Sequence, residues 1–151
     1  MAPGHDLKRR MADFEARCRR AGIRMTPQRL EIYRELARTE KHPDAETVFK
    51  RVRRRMPTVS LDTVYRTLCL FEERGIVSRV DVLCNRARYD ANADRHHHFV
   101  CRQCGLVRDF YSEAADRFAP PAEVRGWGDL DAVLVQVRGT CTSCRRRGKA
   151  K

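Results

Sequence analysis

Apolar residues recur three or four positions apart through the first half of the chain, which is the spacing of one helix face. Capping and turn residues divide this pattern, because Ser, Thr or Asp before a helix and Pro in its first turn favour a start there. Four helices are predicted: over 7–20 with a basic face, from Thr26-Pro27 onward, from His42-Pro43-Asp44 to a stop at Met56-Pro57, and from a Ser60 cap to Gly75.

The fourth predicted helix has two different faces. One is apolar and carries Leu61, Val64, Leu68 and Phe71. The other is polar and basic, and it carries Asp62, Thr63, Arg66 and Cys69, with Tyr65 on its flank. Such a face fits the major groove of DNA, where Arg can pair with guanine and Thr or Tyr can contact phosphate or a thymine methyl group. The alternative is a plain amphipathic helix packed on a protein core.

Short apolar, β-branched segments follow the helices and predict strands. Strands over 76–80 and 87–90, joined by a turn near 84–86, complete the outline of a winged helix. Further strands are predicted over 98–101, 106–110 and 132–137, with a short helix over 112–118 that ends before Pro120-Pro121.

These elements together predict an α+β fold in two domains. We expect a winged-helix DNA-binding domain over 1–90, a hinge over 91–95, and a small α/β dimerisation and metal-binding domain over 96–151. A three-stranded sheet with one helix is small for independent stability, so it should pair with a second copy. A symmetric homodimer would match a palindromic DNA site.

The formal net charge of +12 indicates a polyanionic partner. Residues 1–80 hold nineteen Lys or Arg against eleven Asp or Glu, so the first half is the expected nucleic-acid side. A solvated basic surface is the alternative, and the basic tail over 145–151 either adds weak phosphate contacts or is disordered. The polar start and the lack of a long apolar run predict a soluble, cytoplasmic protein with no membrane partner.

Four cysteines form two pairs with two residues between the thiols: Cys101 with Cys104, and Cys141 with Cys144. This spacing lets one tight turn direct both sulfurs at a single tetrahedral ion, so the set predicts a closed, structural Zn²⁺ site. The other three cysteines have no partner at ligand spacing and are expected to be buried or half-buried thiols: Cys18, Cys69 and Cys84.

A run of three histidines precedes the first cysteine pair. His96 and His98 are two apart on a predicted strand, so they point to the same side while His97 points away. Asp90 and Asp109 can add carboxylate oxygens. Nitrogen and oxygen ligands without thiolate suit Fe(II), Mn(II) or Zn(II) in a second, regulatory site. A metal-dependent hydrolase or oxygenase is the enzyme alternative, but the chain shows no nucleophile motif, and we expect no enzyme activity.

Six ordered motifs closely resemble the ferric uptake regulator (Fur) family: Thr26-Pro27-Gln28-Arg29, His42-Pro43-Asp44-Ala45-Glu46, the run from Val59 to Leu68, Arg88-Tyr89-Asp90, His96-His97-His98 and Cys101 to Gly105. The resemblance implies a homodimeric, metal-dependent transcriptional repressor that binds operator DNA. It also implies a role for His42, which the residues alone would mark as a cap or surface histidine.

The resemblance implies particular site residues. The structural zinc ligands are Cys101, Cys104, Cys141 and Cys144, and the regulatory ligands are His42, Asp90, His96, His98 and Asp109. DNA contacts are expected from Arg24, Ser60, Thr63, Tyr65 and Arg66.

With Asp at positions 90 and 109, the chain resembles the peroxide-responsive repressors of the family, whereas iron-sensing relatives commonly carry Glu at these positions. In that branch peroxide reacts with bound Fe(II), and a ligand histidine is oxidised. His42 and His96 match the oxidised positions. An iron- or zinc-uptake regulator of the same family is the alternative.

Overall fold

The computed structural model describes residues 6–81 and 87–148, which fall into two compact units with their boundary between Ala93 and Asp94. Helices and a two-stranded hairpin form the first unit, and a three-stranded sheet with short helices forms the second. The predicted α+β fold is therefore confirmed.

The first unit contains four helices: α1 (Leu7–Arg20), α2 (Pro27–Ala37), α3 (Ala45–Val52) and α4 (Leu61–Glu73). Before each of them a side-chain oxygen accepts a hydrogen bond from a first-turn N–H group; the capping residues are Asp6, Thr26, Asp44 and Ser60. Such caps pair N–H groups that have no partner inside the helix, which is why the starts could be predicted from sequence. The ends differ more: α3 ends at Val52 and continues as a turn, before the predicted stop at Met56.

An aromatic cluster joins three of these helices. Phe14 of α1 stacks on Tyr33 of α2 with ring centroids 3.8 Å apart, and Phe71 of α4 meets the Phe14 ring edge-on at 5.3 Å. All three rings are buried, and burial of one such side chain contributes about 1.5–3 kcal/mol. The predicted apolar face of α4 is confirmed, because Val64 and Leu68 lie in the same core.

A hairpin closes the first unit and gives it the winged-helix outline. Strand β1 (Ser78–Asp81) pairs antiparallel with β2 (Ala87–Asp90), and Ser78 lies opposite Asp90. The first strand starts later than predicted because Ile76 is buried in the helical core, where its N–H donates to the carbonyl of Phe71. The turn predicted near 84–86, with Cys84, lies outside the described residues.

The second unit is built on β3 (His97–Cys101), β4 (Val107–Phe110) and β5 (Gln136–Gly139). The central strand β3 pairs antiparallel with β4 and parallel with β5. The strand predicted over 132–137 was wrong in position, because β3 pairs its residues from His98 to Cys101 with 136–139. Alternation of hydrophobicity could not reveal this register, since Gln136, Val137 and Arg138 are all exposed.

Three short helices complete the second unit: α5 (Glu113–Asp116), α6 (Ala122–Arg125) and α7 (Thr142–Gly148). The short helix predicted over 112–118 is confirmed as α5, which Ser112 caps, but a second helix that was not predicted starts directly after Pro121. The alternative that the basic tail is disordered was wrong for residues 145–148, because they belong to α7. No helix among the described residues is long and apolar enough to cross a bilayer.

Candidate metal centres and nucleic-acid interface

The four paired cysteines converge in the second unit. Their sulfur atoms all lie within 4.8 Å of one another. Cys101 ends β3, and the chain then turns back so that the Cys101 N–H donates to the carbonyl of Leu106 at 2.8 Å. Gly105 makes this turn possible with φ +69°, a left-handed conformation that costs little without a Cβ. The second pair arrives from β5 and the first turn of α7.

Backbone N–H groups surround these thiols. The N–H groups of Cys104 and Cys141 lower the pKa of the Cys101 thiol to about 6. The Cys144 N–H lowers the pKa of Cys141 in the same way. The Leu106 N–H also lowers the pKa of Cys104, but burial and the neighbouring thiols outweigh it and raise this pKa to about 11.

Thiolates this close repel one another, which contributes to the raised pKa of Cys104, and a cation among them would relieve this repulsion. Arg147 supplies part of the compensation from outside, since its Nη2 lies 3.1 Å from Cys144 Sγ. Four sulfur donors at this separation fit tetrahedral Zn²⁺, which needs no further ligand. The predicted four-cysteine set thus fits a structural zinc site.

The remaining described cysteines follow the prediction only in part. Cys18 is buried in the helical core as expected. Cys69 is exposed on α4, so the prediction of a buried or half-buried thiol was wrong there. It lies on the polar face of α4, which does not pack into the core.

A second group of donors, without sulfur, lies on β3, on β4 and at the residue directly before β3. The Nε2 atoms of His96 and His98 are 3.0 Å apart. Asp109 Oδ1 lies 3.8 Å from the first of these nitrogens and 3.5 Å from the second. The two histidines are buried and share one side of the strand, as the period of two predicted.

Hydrogen bonds fix the tautomers of the histidine run. His96 Nδ1 lies 2.6 Å from the carbonyl oxygen of Asp94, which can only accept, so Nδ1 carries the proton and the Nε2 lone pair faces His98. His97 points the other way and is fully buried. Its Nδ1 accepts from the Val135 N–H, so the proton is on Nε2, which lies 3.2 Å from Asp116 Oδ1 without the angle of a hydrogen bond. His97 therefore supports the sheet, and its neighbours offer lone pairs suited to a cation.

The first unit holds a histidine–carboxylate pair of its own. His42 Nε2 lies 3.5 Å from Asp90 Oδ2, and both side chains are buried. Asp90 ends β2, and the N–H of Asn92 donates to its Oδ1. His42 has φ +45°, a conformation that a side chain with a Cβ adopts at an energetic cost and that clusters at functional sites.

His42 is the site residue that sequence reasoning without the resemblance missed. As a lone histidine before a helix it suggested a cap, but Asp44 caps α3. The positive φ and the burial distinguish it, and neither is visible in the sequence.

The residues expected to contact DNA lie on and near α4 of the first unit. Ser60 is the cap, and its Oγ lies 2.9 Å from Thr63 Oγ1. Tyr65 is 44% exposed, and the exposed Arg66 pairs with Asp62 through Nε and Oδ2 at 2.9 Å. Arg24 is exposed in the segment before α2. The polar face of α4 is thus open to solvent, while its apolar face forms core.

A family model of the ferric uptake regulators matches residues 20–131. The chain belongs to this family. The assignment made from six sequence motifs is confirmed, and so is the winged-helix interpretation of the first unit.

Several members of the ferric uptake regulator family are similar over nearly the whole chain. The peroxide-responsive repressor PerR of Staphylococcus epidermidis is 30% identical over 144 residues, which is 95% of this chain and 93% of the repressor. A solved structure of a zinc-bound manganese uptake regulator is 32% identical, with a TM-score of 0.63 over 85% of this chain and 98% of its own. The ferric uptake regulator of Helicobacter pylori, 21% identical, has the same fold with a TM-score of 0.69 over 92% of this chain and 93% of its own.

Proposed function

We propose that this chain is a homodimeric, metal-dependent repressor that binds operator DNA in the cytoplasm and releases it when peroxide reaches a regulatory metal site. The observation that carries the proposal is the sulfur-free donor group of His96, His98 and Asp109, whose aligned lone pairs suit Fe(II) or Mn(II). The similarity to a peroxide-responsive repressor supports the peroxide branch. The chain acts as a regulator and not as an enzyme.

The regulatory cation has two donor groups available. We assign His96, His98 and Asp109 of the second unit and His42 with Asp90 of the first unit as its five ligands. Both groups combine imidazole with carboxylate, and all their members except the half-buried Asp109 are buried, so they have the same metal preference. A cation shared by both groups would favour one arrangement of the units and thereby one spacing of the two α4 helices in a dimer.

Bound ferrous iron would supply the electrons that activate peroxide at this site. His42 and His96 are the residues assigned to oxidation. In the net change one peroxide oxygen is added to a ring carbon of the imidazole and the other leaves as water. Oxidation changes which ring nitrogen can act as a metal ligand. The oxidised ring therefore no longer holds the cation in the geometry that supports DNA binding.

DNA binding is assigned to the exposed face of α4, with Thr63, Tyr65 and Arg66 toward the major groove and Ser60 and Arg24 toward the backbone. Dimerisation is assigned to the second unit. Its exposed apolar side chains support this assignment, since Phe118, Trp127 and Leu134 are 56%, 80% and 63% exposed. A second copy of the chain would cover such side chains.

A metal-uptake regulator of iron, zinc or manganese is the second candidate. The solved manganese uptake regulator, 32% identical to this chain, favours it. The two candidates differ in how they respond to peroxide and not in how they bind DNA.

The test uses the selected duplex, defined as DNA recovered from a random-sequence library by the Mn(II)-loaded dimer. Fe(II)- and Mn(II)-loaded protein are each treated with peroxide and titrated with this DNA. We expect loss of binding in the iron form alone, with one added oxygen on His42 or His96 by peptide mass spectrometry. Equal behaviour of the two forms supports the uptake regulator, and failure to recover any duplex contradicts both candidates.

A further inference from the structure

Two carboxylates are buried side by side on α2. Glu31 and Glu35 are 6% and 7% exposed and lie one helical turn apart. Like charges at this spacing repel, and burial adds the cost of removing each carboxylate from water. Such a pair needs a compensating cation at a fixed position.

Three arginines supply this compensation, but they do so from different places. Arg34 and Arg38 belong to α2 itself and each pairs with one carboxylate, Arg34 with Glu31 and Arg38 with Glu35. Arg55 comes from the segment after α3, and its Nη1 donates to both carboxylates, at 2.7 Å to Glu31 and 3.4 Å to Glu35. Of the three, Arg55 alone connects α2 to another part of the unit.

Arg55 lies in the turn that leads from α3 to α4, which we call the arginine turn and define as residues 53–57. Its backbone folds back on α3, since the N–H groups of Arg55 and Met56 both donate to the carbonyl of Val52, at 3.0 and 2.9 Å. Arg53 and Arg54 in the same turn are exposed. The Arg53 guanidinium lies over the Phe49 ring at 5.7 Å from its centroid.

We propose that Arg55 is a positioning residue for DNA binding: the Glu31–Glu35 pair anchors its guanidinium, which fixes the arginine turn so that Arg53 and Arg54 face the phosphates beside α4. This inference rests on the proposed function, because it assigns a backbone-contacting segment to the same DNA-binding unit. Phosphate contacts set the register of a recognition helix on the duplex without reading its sequence.

Arg55 is assigned a different role from Arg53 and Arg54 because it is already paired with carboxylates. Arg55 donates through Nη1 to two buried carboxylates, so they already neutralise its positive charge. Its side chain is half exposed, so the ion pairs themselves add only modestly to stability. The ion pairs matter more for the position of the backbone than for stability, because the anchored side chain restrains the chain a few residues before the Ser60 cap of α4.

The experiment measures affinity of the Mn(II)-loaded dimer for the selected duplex over a range of salt concentrations. Arg55→Met is compared with Arg38→Met, which removes the same charge from the same ion-pair group but leaves the arginine turn anchored. We expect Arg55→Met to lower affinity and to reduce the salt slope by about 0.9 for each phosphate that the protein no longer neutralises. Arg38→Met should leave the slope unchanged. Thermal melting of each variant verifies that it is folded.

An isosteric variant separates positioning from charge. Glu31→Gln makes the protein more positive, so a purely electrostatic role predicts tighter DNA binding, whereas loss of the anchor predicts weaker binding and a smaller slope. A triple change at Arg53, Arg54 and Arg55 to Met should reduce the slope no further than the double change at Arg53 and Arg54.

Equal losses of affinity for Arg55→Met and Arg38→Met, or tighter binding by Glu31→Gln, would overturn the positioning role. Failure of the proposed function is a different result, because the wild-type protein would then recover no duplex from the library.

Discussion

His96, directly before β3, and His98 on β3 hold their Nε2 atoms 3.0 Å apart. The Asp94 carbonyl keeps the proton of His96 on the opposite nitrogen, so the His96 lone pair is directed at its neighbour. Without a cation the two rings can satisfy each other only by sharing a proton. A divalent cation would replace that proton and use both lone pairs, with Asp109 as the nearby charge partner.

The first prediction concerns this donor pair. His96→Ala removes one lone pair and should weaken Mn(II) binding by at least about 100-fold. Loss of a residue that only supports a metal ligand lowers metal affinity by up to about 100-fold, and loss of a ligand itself should cost at least as much. Isothermal titration with Mn(II) measures the affinity, and sedimentation should show that the oligomeric state is retained. Asp131→Ala, an exposed acidic residue of the same unit, is the control and should bind Mn(II) normally. Unchanged Mn(II) affinity in His96→Ala would exclude this histidine as a ligand.

The second prediction concerns the four thiols. Cys101→Ser replaces a donor whose thiolate the surrounding N–H groups favour, so the variant should lose its zinc and unfold in the second unit. Zinc coordination contributes about 10–16 kcal/mol to folding in small domains, far more than this small sheet can replace. Zinc content by mass spectrometry and hydrogen exchange of β3 measure the loss.

Cys69→Ser is the matched control, because that thiol is exposed on α4 and lies outside the cluster. A Cys101→Ser protein with full zinc and normal exchange would show that the cluster does not hold the second unit together.

The parts of the fold that the sequence predicted well are those with a local physical signal. Helix starts were predicted because a capping side chain pairs with an N–H group of its own first turn, as Thr26 and Ser60 do. The cysteine pairs were predicted because their spacing alone constrains the ligand geometry. The side of β3 shared by His96 and His98 followed from the period of two in a strand.

The parts that failed depend on long-range pairing. Strand β5 was misplaced because its position is set by the parallel register with β3, which no alternation within an exposed strand encodes. The role of His42 rests on a left-handed backbone and burial that only the folded chain creates. The sequence analysis made no prediction for Glu31 and Glu35, because the cation that compensates these buried carboxylates, Arg55, comes from a distant segment.

The third prediction follows from the pKa of Glu31. Burial acts to raise this pKa, but hydrogen bonds and charge from Arg55 and Arg34 together outweigh it and lower the pKa below its usual 4.5. A lowered carboxyl pKa stabilises the fold above the unfolded value, and this stability is lost as the pH falls through 4.5 and on through the lower folded pKa. Urea unfolding of the first unit should therefore show a fall in the free energy of unfolding over that acid range.

Glu31→Gln should remove this part of the acid sensitivity, because its amide does not titrate. Glu73→Gln, at the exposed end of α4, is the control and should keep the wild-type pH profile. If both variants kept the wild-type profile, ionised Glu31 would contribute nothing to stability.

The fourth prediction concerns Arg66 at the centre of the exposed face of α4. Its ion pair with Asp62 joins two side chains that are 81% and 68% exposed, so Arg66→Ala should change the free energy of unfolding by less than about 1 kcal/mol. On DNA the same change should cost about 1–3 kcal/mol of discrimination if the guanidinium pairs with a guanine. Fluorescence anisotropy with the selected duplex and with a scrambled duplex of the same composition measures this difference.

Asp62→Asn distinguishes base reading from simple attraction to phosphate. It releases Arg66 from its partner and adds one positive charge, so it should strengthen binding to both duplexes in parallel. Arg66→Ala should instead weaken binding to the selected duplex much more than binding to the scrambled one. Equal weakening on both would mean that Arg66 contacts the backbone, and the bases would then have to be read by other residues of the exposed face, with Thr63 and Tyr65 the next to be substituted.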